Sequence, residues 1–68
     1  MRIVLNNETI ELPEHTEISV KDLLDYKQWS FPLIIVKRNG NLIQRNEWAR
    51  TIIHDGDTVD AIHLVSGG

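Results

Sequence analysis

The stretch Val59-Asp60-Ala61-Ile62-His63-Leu64-Val65-Ser66-Gly67-Gly68 closes the sequence, and the rest of the chain is organised around it. Residues 59–65 are rich in apolar and β-branched types, which predicts a strand. The two glycines have no Cβ, so they can lie extended in a narrow channel and adopt backbone angles closed to other residues. Such a tail can present the α-carboxylate of Gly68 to the active site of another protein. Terminal glycines also occur as simple frayed ends, because chain termini are often poorly ordered.

The alternation along this predicted strand assigns its side chains to two faces. One face carries Val59, Ala61, His63 and Val65, and the other carries Asp60, Ile62 and Leu64. An unpaired aspartate is costly to bury, so we expect the face of Asp60 to be the solvent side. Ile62 and Leu64 then form an exposed apolar strip just before the tail. Exposed apolar patches often mark partner surfaces, and isolated surface hydrophobic residues are the alternative interpretation.

The first half of the chain predicts a β-hairpin and one helix. Asn6-Asn7 has the composition of a tight turn between strands at residues 2–6 and 9–12. Ser19 can cap a helix that begins at Val20. Apolar residues at 20, 23 and 24 share one helical face, and the helix should fade around residues 27–28. Pro32 prevents any continuation.

The second half predicts more strands. The apolar run at residues 33–36 indicates a central strand, and Asn39-Gly40 is a strong hairpin signal before a short return strand at 42–44. A helical turn anchored by Trp48 follows at 45–50, and a tight turn at 54–57 precedes the last strand. One helix crossing one face of a mixed sheet is an α+β arrangement. The order of elements is that of the ubiquitin-like β-grasp.

Size and composition exclude several classes of function. The chain has 68 residues, a net charge of −3 and no cysteine. A domain of this size buries only roughly 60% of the surface of its unfolded chain, which leaves little room for a deep active site. Without cysteine there is no disulfide, thiolate metal site or sulfur nucleophile. The negative charge disfavours nucleic acid, and no apolar run approaches the ~20 residues of a membrane span. We expect a single cytoplasmic domain, residues 1–68, with a flexible Gly-Gly tail and no cofactor.

Isolated polar residues do not predict a catalytic or metal site. The histidines at 15, 54 and 63 are not spaced as one ligand set and are interpreted as surface or edge residues. Asp55, Asp57 and Asp60 lack the twelve-residue calcium loop, and Asp55-Gly56-Asp57 is typical of a turn. The basic residues Lys37, Arg38, Arg45 and Arg50 are interpreted as a solvated face. We identify no credible catalytic group, so the chain is not predicted to be an enzyme.

Several segments resemble the ThiS family, the sulfur carriers of thiamine biosynthesis. The resemblance is carried by Arg45-Asn46-Glu47-Trp48-Ala49, Thr51-Ile52-Ile53, Asp55-Gly56-Asp57 and Val65-Ser66-Gly67-Gly68. It extends more loosely through the first half, at residues 5–7, 12–13 and 20–24. Ser66 departs from the glycine or other small residue that family members often carry there. Serine is also small, so we expect this difference to matter little to the tail.

The resemblance implies that Gly68 is the site of covalent modification. An E1-like adenylyltransferase of the ThiF type would adenylate its carboxylate with ATP, and a cysteine desulfurase or rhodanese type of donor would supply sulfur. The resulting thiocarboxylate would donate sulfur to a ThiG-type thiazole synthase. Ser66 and Gly67 would form the tail, while Ile62 and Leu64 would contact the partners. A carboxylate is a poor electrophile because it is anionic and lacks a good leaving group, which a mixed anhydride with AMP supplies.

Two other functions remain open at this point. The chain could carry sulfur in another pathway, as the small subunit of molybdopterin synthase does, since that protein also ends in Gly-Gly. It could also be a non-covalent β-grasp adaptor in which the terminal glycines are incidental. A thiocarboxylate assay separates a carrier from an adaptor, and the identity of the loading enzymes separates the two carriers.

Overall fold

The computed structural model describes residues 1–29 and 33–64 of the 68-residue chain. The elements of this part are short and follow one another closely. In chain order they are β1 (Arg2–Leu5), β2 (Glu8–Glu11), β3 (Glu17–Ser19), α1 (Val20–Tyr26), β4 (Ile34–Arg38), β5 (Asn41–Ile43), a 3₁₀ turn (Arg45–Glu47), β6 (Ile52–His54) and β7 (Thr58–His63).

The main sheet places the last strand at its centre. Its strand order is β2-β1-β7-β4-β5. The β1–β7 pair is parallel, whereas β2 with β1, β4 with β7, and β5 with β4 are antiparallel. Residues 33–36 were predicted as a central strand; β4 is internal to the sheet, but the central position belongs to β7. The strand that leads into the tail is therefore held on both sides.

Both predicted hairpins are confirmed, and each has a two-residue turn. Leu5 pairs with Glu8 around Asn6-Asn7, and Arg38 pairs with Asn41 around Asn39-Gly40. All four turn residues have positive φ, at 52° and 68° in the first turn and 51° and 84° in the second. This is the signature of a type I′ turn, whose twist matches that of the flanking strands. Asparagine and glycine are the residues that adopt these angles most readily.

The helix begins and ends at identifiable caps. The Ser19 hydroxyl oxygen accepts a hydrogen bond from the backbone N–H of Asp22 at 3.0 Å, as the sequence predicts. At the other end, the backbone N–H of Trp29 donates to the Leu24 carbonyl at 2.9 Å, and that of Gln28 donates to the Asp25 carbonyl at 3.0 Å. These two bonds form a Schellman motif, with Gln28 at φ 59° in the position that glycine usually occupies.

A second, two-stranded sheet joins β3 to β6, and the sequence did not predict it. Each strand has three residues, and Ile18 pairs with Ile53. Both isoleucine side chains are buried in the core. The ribbon also fixes the start of the helix, because the backbone N–H of Val20 donates to the Thr51 carbonyl at 2.9 Å. It therefore connects the N-terminal half of the chain to the segment that precedes β7.

The core lies between α1 and the inner face of the main sheet. Val20, Leu23 and Leu24 of the helix are buried, as the helical spacing predicts. They belong to one cluster with Ile3, Leu5, Leu12, Ile18, Val36, Ile53, Val59 and Ala61. Full burial of an aliphatic side chain contributes about 1.5–3 kcal/mol to the stability of the folded state. Burial of these residues therefore provides most of the free energy that favours folding. Because α1 covers one face of the sheet, the opposite face is available to solvent or to a partner.

Candidate functional site: the outer sheet face and the strand before the tail

The two faces of β7 differ in burial as the alternation predicts. Val59 and Ala61 are 0% and 7% exposed, whereas Ile62 and Leu64 are 45% and 43% exposed. The predicted exposure of Ile62 and Leu64 is therefore confirmed. Asp60 is partly buried on the same outer face. Whether these two side chains bind a partner stays a prediction.

The exposed strip on β7 continues onto β4. Ile35 lies directly opposite Ile62 in the antiparallel register. The backbone N–H of Leu64 donates to the Leu33 carbonyl at 2.9 Å, and the Leu33 side chain is 52% exposed. Side chains opposite one another on a sheet share a face and lie close enough for contact. We call the set Leu33, Ile35, Ile62 and Leu64 the outer patch.

Leu33 and Ile35 were not predicted from the sequence as members of this surface. The run at residues 33–36 predicts a central strand covered on both sides for part of its length, because continuous apolar residues are typical of buried strands. Val36 is fully buried, but Ile34 and Ile35 are only partly buried. No local signal identifies the strand that pairs with β4. The contribution of Leu33 and Ile35 to the outer patch could therefore not be predicted from the sequence.

Polar residues border the outer patch at the end farther from the tail. Lys37 on β4 lies directly opposite Asp60 on β7, and Leu42 on β5 lies opposite Lys37. The Leu42 side chain is exposed. Opposite charges at facing positions favour the observed register. The outer face thus changes from apolar near the tail to mixed and charged near the β4–β5 turn.

The turn before β7 is built by aspartates and an asparagine. The Asp57 carboxylate accepts hydrogen bonds from the backbone N–H of His54 at 2.8 Å and from Asn39 Nδ2 at 3.1 Å. The Asp55 carboxylate accepts one from the backbone N–H of Arg2 at 2.7 Å. Asn39 Oδ1 accepts a bond from the backbone N–H of Thr58 at 2.8 Å. These contacts confirm the interpretation of residues 54–57 as a tight turn.

The environment of Asp57 shifts the pKa of its carboxyl group. Burial raises this pKa, but the hydrogen bonds from His54 and Asn39 lower it, with help from the charges of Arg38 and His54. The lowering effects prevail, so the pKa lies below its ordinary value of 3.8. A carboxylate that accepts hydrogen bonds favours its ionised form. Asp57 therefore stabilises the turn as an anion.

The two tryptophans pack against the core. Trp48 is half-buried, and its Nε1 donates a hydrogen bond to the Ile43 carbonyl at 3.1 Å. The Arg45 guanidinium lies over the Trp48 ring, 5.0 Å from its centroid. Trp29 is also half-buried, with the Lys27 ammonium 5.5 Å from its ring centroid. These contacts support the predicted structural role of Trp48.

The other candidate residues are distributed over the surface. His54 lies 3.6 Å from the Glu17 carboxylate, and His63 is exposed on β7. Within residues 1–29 and 33–64, no group of three or more histidine and acidic side chains is placed to hold a metal ion. In the same residues, no helix is both long enough and apolar enough to cross a membrane.

Three of the basic residues that were interpreted as a solvated face make contacts within the protein. Arg38 Nη1 donates to the Ile52 carbonyl at 2.8 Å, which ties β4 to β6. Arg50 forms two hydrogen bonds of 2.9 Å with the Glu47 carboxylate, three residues earlier. Together with the stacking of Arg45 on Trp48, the Arg50 contacts give these two arginines roles within the turn that precedes β6.

Residues 30–32 and 65–68 lie outside the described part of the chain. They include three of the predicted site residues, namely Ser66, Gly67 and Gly68. The modification of Gly68 and the function of the tail therefore stay predictions. The last described residue before the tail is Leu64, on the outer patch.

Comparison with known proteins identifies the fold. The crystal structure of the thiamine biosynthesis protein ThiS from Geobacter metallireducens is 23% identical, covers 100% of both chains and superposes with a TM-score of 0.89. An NMR solution structure of a thiamine biosynthesis protein from the same organism is also 23% identical, over 100% of this chain and 88% of that chain, with a TM-score of 0.81. At this identity the likeness establishes the fold alone. It confirms the predicted α+β architecture of the ubiquitin-like β-grasp.

The family comparison uses the sequence itself. No curated protein matches this chain significantly. The family model described as the ThiS family, however, matches residues 3–68, which include the segments at 45–49 and 51–53 and the terminal Ser66-Gly67-Gly68. Since the match extends over nearly the whole sequence, the chain belongs to the ThiS family.

Proposed function

We propose that this protein is a sulfur carrier of thiamine biosynthesis and that Gly68 carries the sulfur as a thiocarboxylate. The observation that carries the proposal is the match to the ThiS family from residue 3 to residue 68, since it includes the Gly-Gly terminus. Membership of this family supports a small ubiquitin-like carrier that is itself not a catalyst. The β-grasp fold and the exposed apolar residues that precede the tail in sequence are consistent with that role.

Loading requires activation of the Gly68 carboxylate. A carboxylate oxygen attacks the α-phosphorus of ATP in a ThiF-type adenylyltransferase, which releases pyrophosphate and forms an acyl adenylate. Sulfide can then attack the acyl carbon and displace AMP, leaving the thiocarboxylate. A persulfide from a cysteine desulfurase or rhodanese type of enzyme instead forms an acyl persulfide, whose S–S bond a thiol must cleave. Gly67 and Gly68 place no side chain in the path of the attacking groups.

The outer patch gives the partner enzymes a surface to bind. Leu33, Ile62 and Leu64 are 52%, 45% and 43% exposed on one face of adjacent strands. A few well-packed side chains near the centre of an interface often dominate its binding energy. The adenylyltransferase acts on the carboxylate of Gly68 and a ThiG-type thiazole synthase acts on its thiocarboxylate. Both enzymes must reach the same residue, so we propose that they bind this patch in turn.

Intact mass spectrometry tests the proposal. The protein is incubated with ATP, a ThiF-type enzyme and a sulfur source. We expect a mass gain equal to the replacement of one oxygen by one sulfur. Deletion of Gly68, or addition of one residue after it, should abolish loading while leaving the unfolding transition unchanged, because glycine has no side chain to remove from the core. Continued loading of the extended protein, without trimming, would rule out Gly68 as the site.

The identity of the loading enzymes decides between pathways. Loading by enzymes of thiamine synthesis, followed by transfer to thiazole synthase, supports the proposed function. Loading only by the activating enzyme of molybdopterin synthesis would assign the chain to that pathway. Binding of a partner with no change in mass under either condition would indicate a non-covalent adaptor.

A further inference from the structure

Asn6 connects the first hairpin to the strand before the tail. Its backbone N–H donates to the Val59 carbonyl at 3.0 Å. Its side chain then forms two hydrogen bonds with one residue of β7. Oδ1 accepts from the backbone N–H of Ala61 at 2.8 Å, and Nδ2 donates to the Ala61 carbonyl at 3.1 Å. A single carboxamide thus pairs both backbone polar groups of a residue 55 positions away.

This pairing extends the parallel β1–β7 ladder beyond the end of β1. The register pairs Val4 with Thr58 and Leu5 with Val59. In a continuing parallel ladder, the backbone carbonyl of residue 6 would accept from Ala61. The chain instead turns away at Asn6, where φ is 52°. The carboxamide supplies the acceptor and the donor that the departing backbone no longer offers.

The Ala61 backbone groups need these partners. The Ala61 residue is 7% exposed, and its N–H and C=O point to the β1 side of β7. Unpaired polar groups are costly to bury. On the opposite side, β4 pairs with β7 up to His63, and the Leu64 N–H donates to the Leu33 carbonyl. Asn6 therefore provides hydrogen bonds to β7 on the side where β1 ends.

We propose that Asn6 is a positioning residue that keeps β7 ordered up to the tail and so presents Gly68 to the activating enzyme. This inference rests on the proposed carrier function. A strand that is already ordered pays no entropy for ordering when the enzyme binds. If even one residue must be ordered on binding, the binding constant falls about 5- to 30-fold. Loss of the Asn6 contacts should therefore weaken productive binding more than it slows the chemical step.

Hydrogen exchange tests the contacts themselves. Asn6→Gly removes the carboxamide, and glycine adopts the positive φ of the turn without strain. Asn7→Gly is the matched control, because Asn7 also has positive φ, at 68°, and is exposed. We expect the Ala61 amide to exchange about tenfold faster in Asn6→Gly than in the wild type, since local opening controls such exchange. Asn7→Gly should exchange like the wild type, and an equal effect of both variants would overturn the inference.

Steady-state loading tests the consequence for function. The assay is run below the unfolding transition of every variant. In Asn6→Gly, the apparent KM of the activating enzyme for the carrier should rise about 5-fold or more, while kcat stays near the wild-type value. Asn7→Gly should leave both parameters unchanged. An unchanged KM in folded Asn6→Gly would overturn the positioning role.

Asn6→Asp supplies a reversible version of the same test. The introduced carboxylate can accept from the Ala61 N–H but cannot donate to the Ala61 carbonyl. Once protonated, it has the donor and the acceptor that asparagine has. We expect the amide chemical shifts of Ala61 and Leu64 to return towards wild-type values as the pH falls through a single titration. Wild-type shifts at neutral pH would show that the Nδ2 contact has no influence on the strand.

The results also separate this inference from the proposed function. If the wild-type protein is never loaded, the carrier function fails, and the presentation of Gly68 fails with it. Hydrogen exchange and the Asn6→Asp titration would still show whether Asn6 orders β7. If the wild type is loaded and Asn6→Gly behaves identically, the carrier function stands and the positioning role is wrong.

Discussion

Trp48 stabilises the turn between β5 and β6 through its ring and its indole N–H. Because the ring is half-buried, we expect Trp48→Ala to lower the free energy of unfolding by about 2–3 kcal/mol, below the 3–5 kcal/mol typical of fully buried aromatic residues. Trp48→Phe keeps most of the packing and loses only the bond to the Ile43 carbonyl, which should cost about 1 kcal/mol. Urea denaturation measures both values. An unchanged midpoint for Trp48→Ala would indicate a role in binding instead.

Asp57 makes the stability of the protein depend on pH. Its pKa is lowered in the folded state, so its stabilising contribution is present above the unfolded pKa, near 3.8, and is lost as the pH falls through the folded pKa. Asp57→Asn should lower the free energy of unfolding at neutral pH by about 1 kcal/mol, since one good acceptor is lost. The difference between wild type and variant should shrink as the pH falls below 3.8.

Chemical denaturation over a range of acidic pH values tests the role of Asp57. Asn39→Gly provides the control, because glycine tolerates the φ of 51° at that turn while removing the Nδ2 donor to Asp57. This variant should show a smaller pH dependence than the wild type. A difference between wild type and Asp57→Asn that stays constant at every pH would show that the anionic form has no special role.

At the level of elements, the end of α1 carries identifiable strain. Gln28 has φ 59° at the position of the Schellman motif where glycine is preferred. Gln28→Gly should therefore raise the free energy of unfolding by about 0.5–1 kcal/mol, because a residue with a Cβ is strained there. Thermal or urea denaturation measures the change. Lys27→Gly is the matched control, since Lys27 has right-handed angles with φ −81°, and this substitution should destabilise instead. Equal effects at the two positions would contradict the explanation.

The β3–β6 ribbon shows how short elements depend on their partners. Three residues in each strand are too few to establish a period, so neither strand has a clear signal of its own. The strands form because Ile18 and Ile53 are both buried and because the ribbon provides hydrogen bonds at the start of α1. An isolated two-stranded ribbon is only marginally stable in water. Its stability here comes from packing on the core.

At the level of the whole molecule, the outer patch and the core occupy opposite faces of the same strand. Ile62→Ala and Leu64→Ala should raise the apparent KM for the carrier, because an apolar anchor of an interface contributes more than about 1–2 kcal/mol. They should change the free energy of unfolding little, since both side chains are exposed in the free protein. Titration of the adenylyltransferase with each variant measures the affinity, and urea denaturation measures the stability.

Two control variants separate effects on partner affinity from effects on stability. Tyr26→Ala removes a side chain that is 57% exposed on the helix, away from the outer patch, and should leave partner affinity unchanged. Val59→Ala removes a fully buried side chain from β7 and should cost about 2–3 kcal/mol of stability without weakening the binding of the folded molecule. A large loss of stability in Ile62→Ala or Leu64→Ala, with affinity unchanged, would show that the outer patch is structural.

Features that depend on neighbouring residues could be predicted from the sequence. Asparagine and glycine favour positive φ, which placed both hairpin turns correctly. Ser19 capped the helix as expected, because a cap acts on the N–H groups of the adjacent turn. The two-residue period of β7 assigned Val59 and Ile62 to opposite faces. The family resemblance at residues 45–57 and at the terminus was also readable in the chain alone.

The folded structure alone shows which distant segments meet. It placed β7 at the centre of the sheet, added Leu33 and Ile35 to the outer patch, and paired Ile18 with Ile53. It also brought the Asn6 side chain to Ala61, where the sequence showed only a turn residue. Local preferences act over a few residues, whereas strand pairing is selected by the burial of side chains from the whole chain. The pairing partners of each strand are therefore set by the assembled core and could not be predicted from local sequence.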